Sequence, residues 1–155
     1  ERATFNEEIS KMKMRNALAC LLFLFCAIGT AHAQDATPKS TSTGVFTEEQ
    51  ARRGAAAYNA NCASCHGSEL RSGDREIPHL TERTFQSGWV GKTIAEKFDL
   101  IRTTMPPKEE RSLDDQVYLD IATYILRFNK IPAGAQELKP DLKLLQQIVI
   151  AAPPN

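Results

Sequence analysis

The chain has 155 residues, with 19 Lys+Arg against 19 Asp+Glu, 42% hydrophobic content and 25% charge, an ordinary composition for one globular domain. A formal net charge of zero and a sequence pI near 7.1 leave no basic excess to neutralise phosphates, which argues against a nucleic-acid partner. No apolar run reaches the roughly 20 residues that a membrane-spanning helix needs, so no stable membrane insertion is expected.

Residues 1–33 read as an N-terminal extension followed by a secretory signal peptide. Lys11-Met12-Lys13-Met14-Arg15 is a compact basic cluster, Ala17 to Ile28 is apolar, and Ala31-His32-Ala33 supplies the small side chains a signal peptidase accepts. Cleavage after Ala33 makes Gln34 the mature N-terminus and removes Cys20 and Cys26. A lipoprotein is a poorer reading, because Cys26 follows Phe25 where a small residue is wanted. Glu1 to Ser10 precede the basic cluster, and translation is expected to start at Met12 or Met14. Residues 34–45, rich in Thr, Ser and Ala without apolar periodicity, read as a flexible leader. A domain over residues 46–130 and a C-terminal extension over 131–155 follow.

Thr47 and Gln50 have capping-box spacing, and the Ala-rich stretch behind them predicts a first helix through about Asn61. Gly54 and Tyr58, four apart, share a face on which a second helix can approach closely. Thr93 and Glu96 form a second capping box, and Ile94, Phe98 and Ile101 recur at helical spacing until Met105-Pro106-Pro107 ends the helix. Ser112 with Asp115 caps a third helix with the apolar stripe Val117, Ile121, Tyr124, Ile125 and Phe128, which should pack against the first. Leu142 to Ile150 is a short helix or a surface clamp. No alternating run predicts a sheet and there is no internal repeat.

Directly after the first helix stands Cys62-Ala63-Ser64-Cys65-His66. This C-x-x-C-H string is a c-type haem attachment signature: two thiolates at that spacing join the two vinyl groups of one porphyrin, and the adjacent imidazole reaches the iron. A thioredoxin-like redox pair would want a βαβ context, which is missing. A zinc site using Cys62, Cys65, His66 and His79 suffers because neighbouring Cys65 and His66 converge badly on one tetrahedral ion. A structural disulfide is the remaining rival. For the sixth iron position, Met105 is the only methionine after the signal. Thioether ligation opposite imidazole favours ferrous iron and closes it to small ligands. His79 is the competing axial residue, and core filling is the plainer role of a methionine at a helix end.

With Cys62-Ala63-Ser64-Cys65-His66 near its start, Met105-Pro106-Pro107 downstream and this helix order, the sequence resembles the class I cytochrome c family over roughly Thr47 to Asn129. The resemblance implies an all-α cytochrome c fold, three to five helices wrapped around one covalently attached haem c. It implies that Pro78 offers its carbonyl to the Nδ1–H of His66, that Leu80 packs on the ring, and that the Gly54/Tyr58 face meets the last helix with Tyr124 as aromatic partner. Trp89 and Arg102 are candidate partners of the haem propionates; a core aromatic and a solvated helix charge are the competing roles. His66 and Met105 would be the metal ligands. The stretches from Trp89 to Thr93 and from Ile101 to Pro107 look most like small bacterial periplasmic monohaem cytochromes, including those that accompany quinoprotein dehydrogenases. The implied role is a periplasmic, monomeric electron carrier rather than an enzyme, with a dehydrogenase as donor and an oxidase or another cytochrome as acceptor. The alternative is a haem enzyme or gas sensor with an open or displaceable sixth position. The interval from His66 to Met105 is shorter than in mitochondrial relatives, so their long central loop is not expected.

Overall fold

Thr47 opens the first long helix, α1 (Glu48–Asn61), its side-chain oxygen accepting from the Gln50 amide at 3.0 Å. A computed structural model of the chain describes residues 39–154. The expected signal peptide, its cleavage site after Ala33 and the start of the leader lie outside the described residues. After α1 come a single turn α2 (Ala63–His66), α3 (Glu82–Gly88), α4 (Ile94–Thr104), α5 (Asp115–Phe128) and a second single turn α6 (Leu142–Leu145). The all-α class holds, with six helices among the described residues, of which α1, α4 and α5 are the three long ones. None is long and apolar enough to cross a membrane.

Both expected capping boxes sit at helix starts, but only one is complete. At α4, Thr93 accepts from the Glu96 amide at 3.2 Å and the Glu96 carboxylate accepts from the Thr93 amide at 2.6 Å. At α1 the reciprocal bond is absent because Gln50 turns inward. Its amide donates to Asp120 and to the Leu138 carbonyl, and its oxygen accepts from the Leu138 amide at 2.9 Å. A buried amide fully paired in this way stabilises more than a surface cap. At α5 the expected Ser112 cap is not formed: Asp114 occupies the N-cap without a side-chain bond and the helix begins at Asp115.

The centre of the fold is the crossing of α1 and α5. At Gly54 a Cβ would stand 1.9 Å from the Asp120 carbonyl oxygen, so only a residue without one lets the backbones meet. One turn on, the rings of Tyr58 and Tyr124 lie 5.2 Å apart. Because α5 packs on both α1 and α4, its buried surface is wider than the expected stripe. Tyr118, Leu119, Ala122 and Leu126 are buried with Ile121 and Ile125, while Phe128 is 41% exposed. Helix α5 ends in a Schellman motif, with Lys130 N–H donating to the Arg127 carbonyl, Ile131 N–H to that of Leu126, and Lys130 at φ +66°. That backbone suits glycine, so Lys130→Gly is expected to raise stability by roughly 0.5–1 kcal/mol in chemical denaturation.

The two ends of the described chain interlock. Strand β1 (Lys39–Ser40) runs parallel to β2 (Ile148–Val149), pairing Lys39 with Ile148 and Ser40 with Val149. The buried Thr41 hydroxyl accepts from the Ala151 amide at 2.9 Å. Residues 39–45, expected as flexible leader, therefore carry a strand and a 3-10 turn (Thr41–Thr43) instead. The reason is long-range: Ile148 and Ile150 are buried, and Ile150 exchanges backbone bonds with Gly91 and Lys92 at the approach to α4. The Leu142 to Ile150 stretch is thus both a helical turn and a clamp.

Candidate functional site

Where α1 ends, Cys62 continues the backbone ladder, its N–H donating to the Tyr58 carbonyl at 2.8 Å. The amides of Cys65 and His66 then donate back to the Cys62 carbonyl at 3.2 and 2.9 Å, forming α2. This turn puts Cys62 and Cys65 on one side, a helical turn apart. Both are free thiols. Cys65 is exposed; burial, and secondarily the nearby Cys65, push the Cys62 thiol up to about 11.

His66 is half-buried, with Nδ1 3.3 Å from the Pro78 carbonyl oxygen. A carbonyl only accepts, so this contact requires the proton on Nδ1 and leaves the Nε2 lone pair for another partner. The loop that carries Pro78 is fixed from three directions. Gly67, at φ +78°, closes α2; a Cβ there would fall 2.1 Å from the Arg71 carbonyl oxygen. The Tyr58 hydroxyl donates to the Gly67 carbonyl at 2.8 Å, and burial pushes that phenol well above its usual range. Leu80 N–H donates to the Leu70 carbonyl at 2.8 Å, while Asn129 at the end of α5 donates to the Leu80 carbonyl at 2.9 Å. Leu80 is half-buried against the core; Pro78 and His79 are exposed.

Met105, Trp89 and Arg102 lie on α4 and at the end of α3, each with its own partners. Met105 is half-buried at the C-cap of α4, its N–H donating to the Ile101 carbonyl and its own carbonyl accepting from Tyr118. Trp89 is 7% exposed and stacks on Phe85 at 5.6 Å, with the Lys97 ammonium 5.8 Å above its ring. The Arg102 guanidinium lies between Asp99 at 2.7 Å and Asp115 at 3.3 Å. Hydrogen bonds tie Cys62, Cys65, His66, Pro78 and Leu80 into one local unit; they do not join Met105, Trp89 or Arg102 to it. Asn129 and Tyr118 support the site without having stood out in the sequence, and Tyr58, marked there for the helix crossing, also braces the loop behind the motif through Gly67.

Among the described residues, no group of three His, Cys, Asp or Glu side chains is arranged to hold a metal ion. The donor set suits a haem c instead: two free thiols a turn apart, an imidazole with an available Nε2, and a thioether. Leu80, Val90, Ile101, Leu113 and Val117 pack on the core yet remain half-buried.

The family model described as cytochrome C oxidase, cbb3-type, subunit III matches residues 49–125, from the first turn of α1 to near the end of α5. No curated protein and no solved structure matches the chain.

Proposed function

From a chain that carries, over residues 49–125, a class I c-type cytochrome domain, we propose an exported carrier of single electrons with one haem c, thioether-bonded to Cys62 and Cys65 and axially ligated by His66 and Met105. When bound, the haem supplies a one-electron Fe(III)/Fe(II) couple. The reading is carried by one observation: the Nδ1 of His66 faces the Pro78 carbonyl at 3.3 Å, beside two free thiols a helical turn apart. Cys62 and Cys65 anchor and orient the ring. The Pro78 carbonyl holds the tautomer of His66 and makes its imidazole a stronger donor. Leu80, held by Leu70 and Asn129, supplies an apolar face beside it.

Met105 would hold the iron through its thioether, a ligand that favours the ferrous state and would separate a carrier from a gas sensor or oxygen-activating enzyme. Trp89, 7% exposed and stacked on Phe85, we assign to the core, and Arg102, held by Asp99 and Asp115, to the bridge between α4 and α5. No residue is given an acid or base role. The domain proper spans residues 46–130, with 131–155 as its clamp. The signal-like N-terminus supports a periplasmic location, and a quinoprotein-type dehydrogenase as donor with an oxidase or another cytochrome as acceptor suits a small carrier. Such encounters are brief and small in area, and a near-neutral protein docks with modest salt dependence.

Expression with a c-type maturation system tests the reading. The wild-type product is expected to keep its haem stain through denaturing electrophoresis. Cys62→Ala and Cys65→Ala should each leave haem partly extractable by acid-acetone, and the double variant fully so. A colourless wild-type product in a competent host overturns the proposal.

A further inference from the structure

The thioether assigned above to the iron opens a ten-residue connection, residues 105–114, between α4 and α5. That connection buries little of itself: Pro107 to Ser112 and Asp114 are exposed, and Leu113 is half-buried. Two backbone bonds tie it to α4, from Met105 N–H to the Ile101 carbonyl at 2.9 Å and from Arg111 N–H to the Arg102 carbonyl at 3.0 Å. Among the described residues, one side chain from outside the connection hydrogen-bonds to it. Tyr118, in the first turns of α5 and 1% exposed, donates its hydroxyl to the Met105 carbonyl at 2.9 Å and accepts from the Leu113 amide at 3.4 Å. One phenol thereby grips both ends of the connection.

We propose that Tyr118 is a positioning residue for Met105, fixing the peptide from which the thioether projects and so setting how readily sulfur leaves the iron; this rests on Met105 being the axial ligand. The phenol has one proton and the Met105 carbonyl takes it, while a hydroxyl lone pair serves Leu113. The fully buried ring cannot swing away to find other partners. Helix α5 is itself held against α1 at Gly54 and tied to α4 through the Arg102–Asp115 pair at 3.3 Å, so Tyr118 passes the rigidity of the helix crossing to the Met105 peptide. Without that grip, the residue that ends α4 would sit at a fraying terminus followed by an exposed loop.

Tyr118→Phe keeps the ring and removes only the hydroxyl. In the ferric holoprotein, excess imidazole displaces the thioether, and loss of the red charge-transfer band of the sulfur–iron bond reports the rate. The variant is expected to lose that band roughly tenfold faster than wild type, since the Met105 carbonyl and the Leu113 amide are both left without their partner. A purely structural tyrosine would lower the melting temperature and leave this rate within twofold of wild type, and that result overturns the inference. Met105→Ala separates the two levels. If it retains the band, the axial assignment itself fails; if it abolishes the band while Tyr118→Phe reacts like wild type, only the role of Tyr118 fails. Should Tyr118→Phe not accumulate, the wild-type protein decides. Displacing Met105 with imidazole is expected to speed hydrogen exchange at the Leu113 amide about tenfold, because coupling between two sites is reciprocal. Unchanged exchange there overturns the proposal.

Discussion

Met105→Ala is expected to yield a folded protein with its haem still attached, a reduction potential lower by on the order of 0.1–0.3 V, and ferrous iron that binds carbon monoxide readily. The size of the shift comes from the axial ligand. A thioether stabilises the ferrous state over the ferric one, and alanine brings no donor, so a water or an empty position follows. Folding should survive because the Met105 backbone contacts are independent of its side chain. Its N–H bonds Ile101 and its carbonyl accepts from Tyr118 whatever residue 105 carries. The side chain is only half-buried, so its truncation costs less than the roughly 2–5 kcal/mol of a fully buried methionine. The competing axial residue gives a clean contrast. If His79 held the sixth position, Met105→Ala would leave potential and spectrum unchanged and His79→Ala would alter both.

How far the molecule was readable from its residues depended on the range of the interaction. The capping box at Thr93 and Glu96 is set within four residues, and it formed as expected. The box at Thr47 was half wrong because Gln50 had a better offer seventy residues away, the buried Asp120, and another at Leu138. Helix α3 gave no signal: it is seven residues long, buries Phe85 alone among its own residues, and its Thr81 cap makes no side-chain bond. The leader misled for a related reason. A Thr- and Ser-rich stretch looks unstructured until the buried isoleucines of the C-terminal segment present a strand for it to join. At the site, the cysteines and His66 were legible because haem attachment demands contiguous spacing. Asn129 and Tyr118 were not, because each acts on the backbone of a distant loop and no local pattern marks such a bond. Arg102 was legible as a candidate propionate partner or a solvated helix charge; its choice of Asp99 and Asp115 required α4 and α5 to be placed first.

Gly54→Ala should destabilise the protein by about 2–4 kcal/mol, enough to lower the melting temperature by roughly 10 °C in a domain of this size. Two effects oppose each other. Alanine is the better helix former by roughly 1 kcal/mol, so at an exposed position in α1 the same substitution would be stabilising. Here the added Cβ would lie 1.9 Å from the Asp120 carbonyl oxygen, 2.5 Å from its carbon and 3.0 Å from the Tyr124 Cβ. Two of those atoms are backbone of α5 and cannot rotate away, so the helices must separate. Separation stretches what the crossing aligns: the Gln50–Asp120 bond at 3.0 Å, the Arg53–Asp120 pair at 3.0 Å and the Tyr58–Tyr124 contact. Asp120 is buried, and a buried carboxylate that loses partners is costly. The packing loss therefore outweighs the propensity gain. Ala56→Gly, at an exposed position in the same helix, calibrates the second term and should cost about 1 kcal/mol. A melting temperature for Gly54→Ala at or above that of wild type would mean that α1 and α5 do not cross at this glycine.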